Sequence, residues 1–445
     1  MQYLIFGRLF RPLPSGELEP DLAESATIVD PNTIEVNLRA GLTWHDGTAF
    51  DAASVKAGLD RTLASGNQGL TGPFFSLTSV EVTSPTKVTL RIGDGTAPSW
   101  FDAFLGSWQT TIVQPDEDFS TYVGAGPMVV AAHEDQVSFT LERYEDYWNA
   151  DAVNFAGMTM LNILSTSPQS GTAALQSGQV DIVYTTPDQI AAFTGPFQTI
   201  AVPNAARVVN MPICKKNAPL DDPQVRLAIS KGIDRDAINE AVFDGTALPA
   251  TETWPEGNRF FTPEVADVAS YDPERAKALL AEAGFPNGVS VDLYPLASTN
   301  LPDIAQIIQA QLAEIGVTVN LNLSANYVND FLVPQTPGMG MSPGGSPGRG
   351  KLSLWTGDSV GNACKYNDAE LNALITDLSK YSDSDPKAKE IWDQINTFAA
   401  EETLSIFVVF QPSLGAYDSD RLVVTEIWPV SNYTVPDIYS SYIRS

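Results

Sequence analysis

Reactive side chains are sparse in this chain, so their spacing decides what they can do. The string Gly344-Gly345-Ser346-Pro347-Gly348 has the G-x-S-x-G form of a hydrolase nucleophile elbow. An elbow needs a strand before the serine, a helix after it and a histidine later in the chain. Pro347 spoils the helix start, and both histidines, His45 and His133, precede Ser346. Gly124-Ala125-Gly126 is followed by Pro127 and is not a dinucleotide fingerprint, and no G-x-x-x-x-G-K-[ST] phosphate loop occurs. The two histidines and the two cysteines, Cys214 and Cys364, lack the spacing of a metal site. His45, inside Trp44-His45-Asp46-Gly47-Thr48, is expected to be a hydrogen-bonded turn residue. No catalytic residue, cofactor or metal is expected, which leaves non-covalent binding as the chemistry to look for.

The bulk numbers narrow the class further. A chain of 445 residues is too long for one core, so two or three subdomains are expected. Hydrophobic residues at 43% and charged residues at 18% exclude wholesale disorder. The longest apolar run, Ile406-Phe407-Val408-Val409-Phe410, is the length of a strand and not of a membrane span. A net charge of −29 repels phosphate backbones and anionic lipid, so nucleic acid is excluded as a partner and a soluble monomer is expected. Residues 1–10 lack the basic start, apolar core and small-residue cleavage site of an export signal. For the cysteines the residues leave two readings open, a Cys214–Cys364 disulfide or two buried thiols.

The elements that must position any site follow from periodicity and punctuation. Thr33-Ile34-Glu35-Val36-Asn37-Leu38-Arg39 alternates like a strand with one buried face, and Val88 to Ile92 does the same. Asp51 is placed to start a helix carrying Val55, Leu59 and Leu63 at helical spacing. Strands are expected at Val137 to Leu141 and Met158 to Ile163. Asp272 caps a helix with Pro273 in its first position, and Gly284 closes it. Strands alternating with helices predict an α/β protein. Residues 334–350, PQTPGMGMSPGGSPGRG, are too rich in Pro and Gly to predict an element interior, so a loop is expected there, either flexible or lining a cleft.

Several blocks, in order, resemble the family 5 extracellular solute-binding proteins, receptors that deliver peptides, nickel chelates and some sugars to ABC importers. They are DLAESATIVDPNTIEVNLRAGLTWHDGTAFDAASVKAGLDR (21–61), the turn Gly124-Ala125-Gly126-Pro127, and Arg143-Tyr144-Glu145-Asp146-Tyr147-Trp148. Ala174-Leu175-Gln176-Ser177-Gly178-Gln179-Val180-Asp181, Pro219 to Arg226 with Ile233 to Ile238, and Tyr271 to Phe285 complete the set. The resemblance implies a class II periplasmic-binding-protein fold, α/β, two lobes with three subdomains and a hinge. Domain I would comprise 1–12, 150–219 and 411–445, domain II 13–149, and domain III 220–410, with crossings near Pro219 and Phe410. It also implies a location outside the cytoplasm, periplasmic or extracellular and membrane-tethered. Tyr3 to Phe10 looks like a segment well inside such proteins, so the export signal and lipid anchor would lie in a missing N-terminal piece.

The function implied is capture of a small solute, foremost an oligopeptide, by lobe closure, and its delivery to an ABC permease. An oligosaccharide or metal chelate is the rival ligand, and a hydrolase on the 344–348 loop the rival class. Leu354-Trp355-Thr356-Gly357-Asp358 resembles a string that carries the acid for a ligand's α-amine, although Asp358 stands only 8 residues before Tyr366-Asn367-Asp368. Trp355 and Asp358 are thus candidate ligand contacts, with Trp108 as an aromatic platform, Arg143 and Arg207 as cationic contacts, and Asn210 on the strand leading to the hinge. Leu293 to Pro302 contains no arginine, which argues against a strict dipeptide receptor.

Overall fold

The computed structural model describes residues 2–12, 18–64, 77–105, 110–114, 121–162, 168–202, 208–298, 300–344, 348–356, 359, 361–425, 427–430 and 433–444. The first sheet joins β1 (Ala23–Asp30), β2 (Thr33–Leu38), β3 (Leu77–Ser84) and β4 (Lys87–Ile92) in the antiparallel order β1-β2-β4-β3. On β2, Ile34, Val36 and Leu38 are buried while Glu35 and Asn37 are not, the expected alternation. Helix α1 (Ala52–Ala64) covers this sheet with Val55 and Leu59 inward. Asp51 Oδ1 accepts from the backbone N–H groups of Ala53 (2.9 Å) and Ser54 (3.1 Å), which satisfies two of the otherwise orphaned donors of the first turn. Helix α2 (Ala97–Phe104) follows β4. Strands β5 (Met128–Glu134), β6 (Ser138–Arg143) and β7 (Gly157–Leu161) make an antiparallel meander.

The turn residues of this lobe are tied to one another. His45 Nδ1 accepts from the Gly124 N–H (3.2 Å), so Nε2 carries the proton and donates to the Gly126 carbonyl (2.9 Å). The ring also meets Tyr144 edge to face at 4.8 Å. A Cβ on Gly124 would fall 1.9 Å from the Ile5 carbonyl oxygen, and one on Gly126 2.6 Å from that of Leu4. The glycines are there because the N-terminal segment runs against them. His45 is therefore a hydrogen-bonded turn residue, as its setting predicts.

The second lobe is built on a mixed six-stranded sheet. Its strands are β10 (Val208–Cys214), β11 (Leu248–Pro249), β12 (Val289–Pro295), β13 (Val317–Leu321), β14 (Gly338–Gly344) and β15 (Ser405–Phe410), in the order β11-β15-β10-β14-β12-β13. Every residue of β10 and β15 is buried, as expected of central strands covered on both faces. The covering helices are α3 (Pro223–Lys231), α4 (Arg235–Phe243), α5 (Pro273–Glu282), α6 (Leu301–Glu314), α7 (Ala369–Leu378) and α8 (Pro386–Glu401). Asp222, Asp234, Asp272, Asp368 and Asp385 each cap the helix that follows. Helix α8 buries Ile391, Trp392 and Ile395, each contributing roughly 1.5–3 kcal/mol of transfer free energy.

Another three-stranded sheet joins β8 (Ile182–Tyr184) and β9 (Phe197–Val202) through a central strand from far along the chain, β16 (Ser413–Asp418). Among the described residues the chain thus passes between the lobes twice, after β9 and again between Phe410 and Ser413. The sequence division carried domain I to residue 219. Pairing of β10 with β14 and β15 instead seats 208–214 in the middle of the second lobe's sheet, so the first crossing precedes Val208.

The glycine- and proline-rich stretch also departs from its expected loop. Residues 338–344 are β14, with Met339 and Met341 fully buried. The Gly-Met-Gly-Met alternation is a strand whose empty face admits aromatic rings: a Cβ on Gly340 would lie 2.2 Å from the Tyr327 hydroxyl and 2.6 Å from the Phe331 ring. Tertiary packing overrides the low strand propensity of glycine. Ser346, the elbow serine of the rival hydrolase reading, lies outside the described residues.

Candidate functional site at the interlobe seam

The first residue of β10, Val208, pairs with Gly344 of β14 on one side and Phe410 of β15 on the other. One end of the sheet therefore gathers the entry strand, the exit strand and the end of β14. Gln411, in the crossing itself, donates from Nε2 to Asn300 Oδ1 (3.2 Å) at the start of α6. The 3₁₀ segment Gly348–Leu354 continues from β14 and packs against α2 of the other lobe.

Helix geometry sets what α2 presents there. Its sequence, APSWFDAF, is apolar except at Ser99 and Asp102, and Trp100 is completely buried. Asp102, two residues on, lies some 200° around the helix from Trp100, so its carboxylate turns away from that core. Across the seam the Asp383 N–H donates to Asp102 Oδ2 at 2.5 Å. Burial, and then the charge of Asp383, push the Asp102 carboxyl up to about 6. Arg349, almost entirely buried, holds the Asp383 side in place. Its guanidinium donates to Asp383 Oδ1 (2.8 Å) and to the carbonyls of Leu378 (2.7 Å) and Tyr381 (2.5 Å). Such forked, charge-assisted contacts fix a turn firmly.

A second buried cation lies behind the first. Lys351 Nζ donates to the Thr253 carbonyl and sits 4.5 Å over the Trp254 ring. Burial lowers its pKa to about 7. Beside it Glu252, also buried, accepts from the Thr262 N–H (2.7 Å) and is pushed up to about 8 by burial. Arg349 and Lys351 are thus both engaged by the protein's own acceptors.

The six candidate contacts fall into different settings. Trp108, Arg207 and Asp358 lie outside the described residues. Asn210 is buried on β10, opposite Ser342 and Phe407 and beside a bulge after Val209. Trp355 is packed in the second lobe's core, its indole N–H donating to Ser405 Oγ (3.0 Å) and its ring against Phe407. Arg143 is occupied locally: it pairs with Glu145 (3.0 Å) and donates to the Val153 carbonyl (3.2 Å). Asn210 and Trp355 share the second lobe, whereas Arg143 stands in the first lobe's meander. Cys214 and Cys364 form a disulfide, Cα–Cα 5.1 Å, joining the end of β10 to the turn after Trp355. Asp102, Arg349 and Asp383 were not singled out in the sequence. The one local signal was an acid inside the apolar helix APSWFDAF. Among the described residues no His, Cys, Asp and Glu cluster could hold a metal, and no helix is long and apolar enough to cross a membrane.

Comparison with known proteins identifies this architecture. Residues 17–339 match the family described as bacterial extracellular solute-binding proteins, family 5 Middle. The glutathione-binding protein GsiB of Escherichia coli (strain K12) is 30% identical over 323 residues, covering 68% of this chain and 60% of the relative. The chain is thus matched to about three fifths of the length of that relative. Among solved structures, the ABC transporter substrate-binding protein CtaP of Listeria monocytogenes superposes with a TM-score of 0.82 at 23% identity, covering 99% of this chain and 93% of that one. The binding protein AgaA of A. tumefaciens R10, solved with agropinic acid, gives 0.77 at 26% identity, with 95% and 89% covered. Two lobes, a double-strand crossing and a match over most of the chain lead to one conclusion: this chain belongs to the family 5 bacterial extracellular solute-binding proteins.

Proposed function

We propose that the chain is the solute receptor of an ABC importer and that it holds a small peptide-like molecule between its lobes. The observation that carries this reading is the seam: two lobes that, among the described residues, are connected by two crossings and touch again through Asp102 and Asp383. Such a molecule can open by rotation about the crossings and close on a ligand whose contacts exist only in the closed form. No bond is made or broken. The closed receptor would dock on the permease, outside the cytoplasm and tethered to the membrane.

The peptide-like ligand is supported by the 30% identical relative, whose name records glutathione. Candidate contacts remain Trp108, Arg207 and Asp358, on the family resemblance, together with Asn210, buried on β10. With Arg349 and Lys351 already spent on protein acceptors, a ligand held largely through backbone-type hydrogen bonds fits best. A second reading, a non-peptide acid, is favoured by the likeness to AgaA with agropinic acid.

Mass spectrometry under native conditions, followed by denaturation and identification of the released compound, tests this. A set of short peptides is expected. A single non-peptide compound overturns the peptide assignment and keeps the transport role. Protein that carries nothing and shows no thermal shift with peptides, sugars or chelates overturns the receptor reading.

A further inference from the structure

We propose that Asp102 is the residue that sets lobe closure, a latch on α2 that engages the Asp383 turn of the opposite lobe and makes closure responsive to protons. The inference rests on the receptor reading above and deepens it. Its geometric basis is a contact between residues 281 positions apart, made by the only charged side chain of α2 and the Asp383 N–H, at 2.5 Å.

The charges around this contact are specific. The Asp383 turn brings a second carboxylate close to the first. Arg349, from the 3₁₀ segment, neutralises Asp383 and also attracts Asp102; Arg259 attracts Asp102 as well. Lys351, on the same 3₁₀ segment, is directed to the Thr253 carbonyl inside its own lobe. On the strands behind α2, Glu24 and Asp30 are exposed, and Glu35 is paired with Lys87 at 2.7 Å. Closure therefore buries a carboxylate against another carboxylate, with arginines supplying part of the compensation.

The sign follows directly. In the open form Asp102 would sit in solvent near its ordinary value of 3.8, and in the closed form it is held near 6. The closed form then binds a proton more tightly, so acidification favours closure. From those two values the closed-to-open ratio should rise about tenfold between about pH 7.5 and about pH 5. Above the closed-form value the ionised carboxylate holds the seam less firmly than the neutral acid does.

The experiment is a spin-label distance measurement across the seam. Labels on introduced cysteines at Asp60→Cys and Lys380→Cys use exposed positions, one in each lobe, and the native cysteines are already bonded to each other. In the wild-type background the short-distance population should grow on acidification. Asp102→Asn, which keeps an acceptor for the Asp383 N–H without the charge, should be closed to the acid level at both pH values. Asp102→Ala, which removes the acceptor, should favour the long distance at both. Melting of each variant confirms that the lobes remain folded. A pH response that persists in Asp102→Asn overturns the latch and leaves lobe closure standing. One fixed distance at every pH overturns latch and hinge together.

Discussion

His45 and the two glycines it binds show how single residues hold the first lobe. Gly124→Ala would push a methyl group into the Ile5 carbonyl, so a loss of about 1–3 kcal/mol or more is expected, seen as a lower melting temperature. Burial lowers the His45 pKa below 6.5. A group depressed in the folded state gives stability that is present above its unfolded value and lost as pH falls below it. Wild-type stability should therefore gain a downward slope below about pH 6.5 that His45→Ala lacks, on top of a loss of about 1–2 kcal/mol at neutral pH. Paired denaturant titrations at several pH values check both effects. This role was legible because a histidine inside a tight turn has few options. Trp355 and Asp102 were not legible, for a shared reason. Whether an indole faces solvent or core, and whether a lone acid meets a partner 281 residues away, depends on contacts that no local pattern encodes.

Elements were readable where their signals are local. Asp272 with Pro273 announces α5, and the structure shows Asp272 Oδ1 accepting from the Arg275 N–H at 2.9 Å. Asp272→Ala should cost about 1 kcal/mol, measurable by urea unfolding. β14 was illegible because its strand character comes from its neighbours: the rings of Tyr327 and Phe331 occupy the space that side chains at Gly340 would need. The disulfide belongs to this scale as well, since it fastens the end of β10 to the turn that follows the 3₁₀ segment. Replacing both cysteines by alanine should lower stability by about 2–5 kcal/mol. Calorimetry should place that loss in the transition of the second lobe, because both cysteines lie there.

At the scale of the whole molecule, the charge of −29 weighs on every state. Mutual repulsion opposes compactness and is screened by salt. Raising sodium chloride from about 20 mM to about 0.5 M should therefore raise the melting temperature, and a decrease would show that specific ion pairs outweigh the net repulsion. The two-lobe plan was legible from the ordered blocks, while the first crossing was misplaced because β10 carries no mark of which sheet it joins. The placement of β16 has a consequence for biosynthesis. Residues 208–410 emerge from the ribosome as one uninterrupted stretch and can complete their sheet at once. The earlier lobe cannot: β8 and β9 share no hydrogen-bonded edge until β16 is inserted between them, and its core still awaits Leu422, Ile427 and Ile438. The part translated first is thus finished last, and through most of synthesis it carries two open strand edges that a chaperone would have to shield.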